Sequence, residues 1–267
     1  MYCLKFTLTP TAAMTFRILP GSILNIATYP FVPPTTLSGY LRRLAMMSAG
    51  LELPETRINK DNPPFYTLPR NYVTLGAYPT SWSGVHRTYR KGMRDFNHDD
   101  FSKLYVTGKA NFQLHTWEYF IAEELVGYLV SESDSELADF QDLETYGCKL
   151  GKEGFAVVKT VSEPIKLEQK TVAALSSTIV PMEPLLQSGN FAGGFDIYNL
   201  YRYDWDKYSR AKNILDNAPT SINGFISFVA AYYSQKTNYL PTLDYYTNDE
   251  IYLPVSLVNL LKGETHV

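Results

Sequence analysis

Runs in which aromatic or aliphatic residues alternate with polar ones read as strands, because successive strand side chains point to opposite faces. Tyr2 to Leu8, YCLKFTL, opens the chain this way; Tyr72 to Tyr78, YVTLGAY, and Glu124 to Val130, ELVGYLV, read as a second and a third strand. After Pro20-Gly21 and Pro30 the period changes in the stretch PFVPPTTLSGYLRRLAMMSAG. Leu37, Tyr40, Leu41, Leu44 and Met47 recur at helical spacing and form one apolar face. Arg42 and Arg43 fall on the opposite side and are expected to face outward. Pro33 and Pro34 suit the approach to a helix, and Thr35 or Thr36 can cap its first amides.

A second helix is predicted in SESDSELADFQDLETYG, where Ser133 and Glu136 have capping-box spacing, Leu137, Phe140 and Leu143 repeat about once per turn, and Gly147 is placed to end it. Gly151 and Gly154 then frame a tight loop before an apolar strand in KLGKEGFAVVKTV. The resulting order, strand, helix, strand, strand, helix, strand, is the ferredoxin-like arrangement also used by RNA-recognition modules, an α+β fold. It is expected over residues 1–161. Residues 162–267 read as a smaller β-rich part: prolines flank a strand pair in EPIKLEQKTVAALSSTIVPMEPLL, and SINGFISFVAAYYSQ is either a buried strand or a short helix. SGNFAGGFD, Ser188 to Asp196, reads as a flexible surface loop. The tyrosines of DIYNLYRYDWDKY and LPTLDYYTNDEIYLP suit packing within the chain or against a protein neighbour.

The 267 residues, 45% of them hydrophobic, suffice for one large domain or two small ones. No run approaches the roughly 20 apolar residues of a membrane span, and the first residues lack a secretory pattern, so a cytoplasmic location and no membrane partner are expected. Cys3 and Cys148 are too few for a disulfide framework and are expected to be buried and reduced. The net charge of −3 conceals a division. Up to His115 there are 13 Lys+Arg against 6 Asp+Glu; beyond it there are 11 against 21. The basic half can present an anion-binding face.

Much of that basic charge lies in an excursion between the second and third strands, a hairpin expected at about 79–109. In it Arg87, Arg90, Lys91 and Arg94 stand close to Trp82, His86, Tyr89 and Phe96. Cations that neutralise phosphates, interleaved with rings that stack bases, suit single-stranded nucleic acid. A solvated loop would need the charges but not the rings. Catalysis has weaker support. The four histidines show no metal-binding spacing, the adjacent residues His98, Asp99 and Asp100 do not converge readily on one ion, and no nucleophile signature is present, so no metal, cofactor or catalytic residue is expected. A metal-independent ribonuclease using His86, Tyr89 and Lys91 is the runner-up. An aromatic-rich carbohydrate or protein interaction module is the third reading.

The proline-led PPTTLSG turn, the long basic hairpin and the YGCKLGKEGFAVV glycine loop, in that order from Met1 to Val161, resemble the RAMP superfamily of CRISPR-associated proteins, and within it the Cas-five family in its type I-D form. The resemblance implies a non-catalytic subunit that caps the 5′ handle of the CRISPR RNA in a type I Cascade complex. It also implies contacts with the large subunit and an adjacent backbone subunit, with target DNA met indirectly, in antiviral defence. Carried onto this chain, it places Ser38 and Gly39 where free helix amides meet a phosphate and Arg42 and Arg43 on further phosphates. Arg87, Arg90, Lys91 and Arg94 fall in a thumb-like hairpin, and Lys149, Gly151, Lys152 and Gly154 in the glycine loop. The two glycines alone are equally explained by a turn that needs them with no ligand.

Overall fold

The computed structural model describes residues 1–19, 24–51, 68–93, 112–187, 189, 194–205, 224–233 and 240–263, with the side chains of residues 91–93, 112 and 113 outside that description. Strand β1 (Tyr2–Pro10) buries Leu4, Phe6 and Leu8 and exposes Lys5 and Thr9, the alternation read from its sequence. It is central in a six-stranded sheet. On one side lies β6 (Leu125–Ser131), followed by β3 (Val73–Pro79); on the other lies β8 (Phe155–Val161), followed by β7 (Gly147–Lys149), and the short β9 (Ile165–Lys166) also pairs with β1. Each pairing is antiparallel. All seven residues of β3 and of β6 are buried, so both faces of that half of the sheet are covered.

Helix α1 (Pro34–Ser48) covers one face. Leu37, Leu41 and Leu44 are fully buried, and the Tyr40 hydroxyl donates to the Ala156 carbonyl of β8 at 2.9 Å. Its start differs from expectation. The N-cap is Pro33, and neither Thr35 nor Thr36 caps the helix, because the Pro33 carbonyl itself accepts from the amides of Thr36 and Leu37, each at 3.0 Å. Arg42, expected outside, is 1% exposed. Ser38 lies one turn before it on the same side of the helix, and the Ser38 hydroxyl accepts the Leu68 amide at 3.1 Å. The chain returning from the helix therefore covers the side on which the apolar pattern left the arginine. Arg43 is half-buried.

The second helix is also shorter than predicted. Ser135–Phe140 form a single 3-10 helix capped by Asp134, not Ser133, and it buries Leu137 and Phe140. The Glu136 carboxylate, assigned to a capping box, accepts from Ser131 of β6 instead. Gly147 begins β7 and ends no helix. Cys3 is buried, which pushes its thiol up to about 12, while Cys148 is half-buried, contrary to expectation, because it lies on the three-residue edge strand. Burial still pushes the Cys148 thiol up to about 11, against the pull of Arg43.

Among the described residues there are three further, small sheets. One holds β2 (Asn25–Ile26), β5 (Phe112–Ala122) and β4 (Ser83–Met93), the last two forming a long hairpin. The second pairs β10 (Glu168–Ala173), β14 (Thr242–Thr247) and β15 (Tyr252–Pro254). The third pairs β11 (Val180–Pro181), β13 (Phe225–Tyr232) and β12 (Asp196–Tyr203). Residues 225–232 of the ambiguous SINGFISFVAAYYSQ are thus a strand; most of SGNFAGGFD lies outside the described residues. Two short helices, α2 (Met182–Gln187) and α3 (Val255–Lys262), were not anticipated. The last turn of α3 is satisfied by neighbours: Trp205 donates to the Leu261 carbonyl at 2.9 Å and Arg70 to that of Lys262 at 2.8 Å.

The tyrosines of β12 and β13 pack within the chain. Phe31, fully buried, has ring centroids 5.4 Å from Tyr198, 5.0 Å from Tyr232 and 5.5 Å from Tyr78, and Tyr29 lies 5.6 Å from Tyr198. One cluster of buried residues consequently runs from Cys3 in β1 to Leu261 in α3. The architecture is α+β and mostly sheet. Among the described residues, no helix is long and apolar enough to cross a membrane.

Candidate nucleic-acid interface

The β4–β5 ladder runs from the pair Ser83 and Ala122 to the pair Met93 and Phe112, and opposed residues share a face. His86, Thr88 and Arg90 therefore lie with Tyr119, Trp117 and His115. Val85, Arg87 and Tyr89 lie with Phe120, Glu118 and Thr116. The hairpin base is anchored in the core. Phe120 is fully buried 6.2 Å from Phe16, its carbonyl accepts the Met14 amide at 2.9 Å, and the Trp117 indole donates to Thr15 at 3.0 Å. Trp82 and Tyr89, 59% and 66% exposed, present open ring surface beyond that anchor.

The glycine loop meets the hairpin at its base. Lys152 exchanges backbone hydrogen bonds with Thr15, at 3.0 and 3.2 Å, which carries its side chain across to β5. Its ammonium lies 4.2 Å from the Trp117 ring centre, and the Arg90 guanidinium lies 4.8 Å from the same ring and 5.2 Å from that of Tyr119. Two cations thus share one indole. Arg90 also grips Glu153 through two hydrogen bonds of 3.1 and 3.0 Å and donates to the Tyr119 hydroxyl, which itself donates to Glu153 at 3.0 Å. Glu153 is held at φ 65°, a left-handed conformation that costs a residue with a side chain roughly 1–2 kcal/mol. The glycines on either side are required by close packing. Gly151, at φ 70°, has Phe16 and Thr15 so close that a Cβ would sit 2.6 Å from the Phe16 ring; at Gly154 one would sit 2.4 Å from the Leu150 carbonyl oxygen and from Met14.

Neither arginine is a free charge. Arg87 donates to Glu118 at 2.7 and 3.2 Å, and that hydrogen bond and charge hold its guanidinium protonated more firmly than usual. The other Glu118 oxygen accepts the Thr28 amide at 3.3 Å. These pairs are solvent-exposed on the arginine side, at 60% for Arg87 and 44% for Arg90, so water and salt weaken them and a phosphate can displace the carboxylate.

Arg87, Arg90 and the backbone of Lys91 lie in β4, but the hairpin's second strand, Phe112–Ala122, starts beyond the end expected at about 109; the structure brings β4 to the loop of Gly151, Lys152 and Gly154, distant in the chain. His86 is exposed on the Tyr119 face, and Lys149 is exposed at the end of β7. Ser38 and Arg42 do not join them. Ser38 is 3% exposed in the second turn of α1, where its amide is past the free first turn, so a phosphate cannot reach it. Gly39 is part of the same turn. Arg94, Phe96 and His98 to Asp100 lie outside the described residues. Among the described residues, no group of three His, Cys, Asp or Glu side chains converges as a metal site. Trp117, Tyr119, Glu118 and Glu153 were missed. The alternation HTWEYF, His115 to Phe120, signals that Trp117 and Tyr119 share a face, but nothing in it points to the glycine loop.

The loop packing gives a testable result. Gly154→Ala is expected to destabilise the protein by about 1–3 kcal/mol, because the contact is with backbone as well as Met14, and to dislodge Lys152 from Trp117. Thermal melting with tryptophan fluorescence checks both. A native melting temperature and an unchanged spectrum would refute the tight fit.

No protein-family model matches the sequence. A segment of 112 residues, 39% of this chain, is 29% identical to the Regulator of G-protein signaling rgs-6 of Caenorhabditis elegans and spans 14% of that protein. The fold is similar to a chain in the Type III-B Cmr-beta complex bound to cognate target RNA and AMPPnP, with a TM-score of 0.40, 12% identity and coverage of 85% of this chain and 86% of that one. It is likewise similar to a CRISPR protein from Archaeoglobus fulgidus, with a TM-score of 0.37, 12% identity and coverage of 94% and 97%. Superpositions this loose transfer no role to individual residues.

Proposed function

We propose that the protein is a non-catalytic subunit of a CRISPR effector complex that grips single-stranded RNA at the junction of the β4–β5 hairpin and the glycine loop. The sequence resemblance favours the 5′ handle of a CRISPR RNA in a type I complex of the I-D form, with a large subunit and a backbone subunit as neighbours. What carries the reading is the junction itself: Arg90 and Lys152, from two distant motifs, converge over the buried Trp117 ring beside the half-buried Tyr119, while Trp82 and Tyr89 of the same hairpin leave their rings exposed. Rings stack bases without regard to sequence, and the cations supply the phosphate term that dominates affinity. The strand order β3-β6-β1-β8, with α1 between β1 and β3, supports a ferredoxin-like core beneath the site.

Fluorescence anisotropy with a labelled repeat-derived RNA, run across a salt series and against a scrambled RNA, tests the proposal. Binding that falls steeply with salt is the expected result for the junction, with the slope measuring the phosphates neutralised, and a preference for the repeat sequence is what the 5′-handle reading adds. Binding that ignores salt, or binding of a sugar in its place, would favour an interaction module. Cleavage of the RNA would restore the ribonuclease reading.

A further inference from the structure

A groove of about 340 Å³ opens between the start of α1 and the β12–β13 sheet. That volume falls in the range of small-molecule sites, roughly 300–1,000 Å³. Phe16 and Tyr29 form buried wall, Tyr201 is half-buried, and Phe225 is 46% exposed. The polar side chains of the lining are those of Thr35, Thr36 and Tyr201, the exposed Arg17, and Tyr29, whose hydroxyl already donates to the Asn199 carbonyl. Among the described residues no carboxylate forms an ion pair with Arg17, in contrast to Arg87 and Arg90.

We infer that this groove holds one unstacked base of the bound RNA, with the adjoining phosphate on Arg17; the inference rests on the RNA reading above. Aromatic walls suit a base face, the hydroxyls of Thr35 and Thr36 can bond its polar edge, and a cation without an acidic partner suits a phosphate. An apolar segment of another protein would use the rings but leave Arg17 without a counterpart. Position supports the same occupant. Phe16, which walls the groove, also packs on Phe120 at the hairpin base and closes against Gly151 of the glycine loop. Arg17 bridges by backbone to Thr28, whose amide is held by Glu118, the partner of Arg87. The groove therefore adjoins the hairpin base on the face of Arg87 and Glu118, opposite the face of Arg90 and Trp117, so a strand bound at both sites crosses the hairpin between them.

The test uses the full chain and a short single-stranded oligoribonucleotide carrying 5-iodouridine at one position at a time, photocrosslinked and mapped by mass spectrometry. A crosslink to Tyr201 or Phe225 from one position is expected. Phe225→Ala should lower affinity about tenfold, and Arg17→Ala should reduce the slope of log affinity on log salt by about 0.7–1. Phe225 also packs against Tyr203, so its loss can loosen the sheet. Arg17 is an exposed side chain whose replacement leaves the core intact, and Arg17→Glu should weaken binding further. RNA binding that is unchanged by either Arg17 variant and yields no groove crosslink overturns the groove while leaving the hairpin junction standing. No RNA binding by the native protein overturns both.

Discussion

Replacing Arg90 and Lys152 together with alanine should lower affinity for single-stranded RNA about ten- to a hundredfold and reduce the salt slope by about one to two, because in the proposed complex these two cations, held over the buried Trp117 ring, each neutralise a phosphate. Anisotropy across a salt series measures both quantities. The acidic partner gives the opposite sign. Glu153 occupies the fork of Arg90, so an RNA phosphate bound there as proposed would have to displace it; Glu153→Gln removes the competing charge and should raise affinity about two- to fivefold at low salt, with the gain shrinking as salt screens the pair. Glu118→Gln is a poorer test of the same idea, since that carboxylate also holds the Thr28 amide. If the double alanine variant binds RNA as the native protein does while melting normally, the junction is not the site. If Glu153→Gln weakens binding, the carboxylate is positioning Arg90 for the phosphate and does not compete with it.

Phe31→Ala should cost about 3–5 kcal/mol, among the largest effects of any single substitution here. Phe31 is fully buried and touches rings from both halves of the chain: Tyr29 and Tyr78 from the first, Tyr198 and Tyr232 from the second. Removing it leaves a cavity that the four remaining rings cannot collapse into without leaving their own contacts, since Tyr198 is packed on Tyr29 and Tyr232 on Tyr78. Denaturant unfolding followed by tyrosine fluorescence and by circular dichroism should show one transition at a lower midpoint, with the two probes coincident. Separate transitions in the variant would mean that this cluster is what couples the halves. Separate transitions in the native protein would mean that the continuous core does not unfold as a unit.

Three strands of the main sheet were legible: β1 by its alternation, and β3 and β6, buried on both faces, by their apolar runs. In β1 the contrast between Leu4, Phe6, Leu8 and Lys5, Thr9 is written residue by residue; the basic charge pointed to β4, but β5, beyond the expected end of the hairpin, was not read as a strand. Helix α1 was legible too, but its environment was not: a period-3.6 pattern shows the most apolar side of a helix and is silent on how many sides are covered. That is why Arg42 and Ser38 were assigned to a surface they do not occupy. The second helix failed for a related reason. Its residues satisfy a capping-box pattern, yet Glu136 meets Ser131 and Asp134 takes the cap, because six residues of 3-10 helix suffice to bury Leu137 and Phe140.

By itself the sequence determined the periods of the main strands and of α1, the basic character of the hairpin and the glycine positions, all of which depend on residues near one another in the chain. Only the tertiary structure decided that Lys152 and Arg90 share the Trp117 ring, that Arg87 and Arg90 meet Glu118 and Glu153, and that Phe16 stands between the glycine loop and an aromatic groove. Those contacts join positions far apart in the chain. They arise because burying Met14, Phe16 and Phe120 brings their strands together, and local propensity carries no record of which distant surfaces that burial will align.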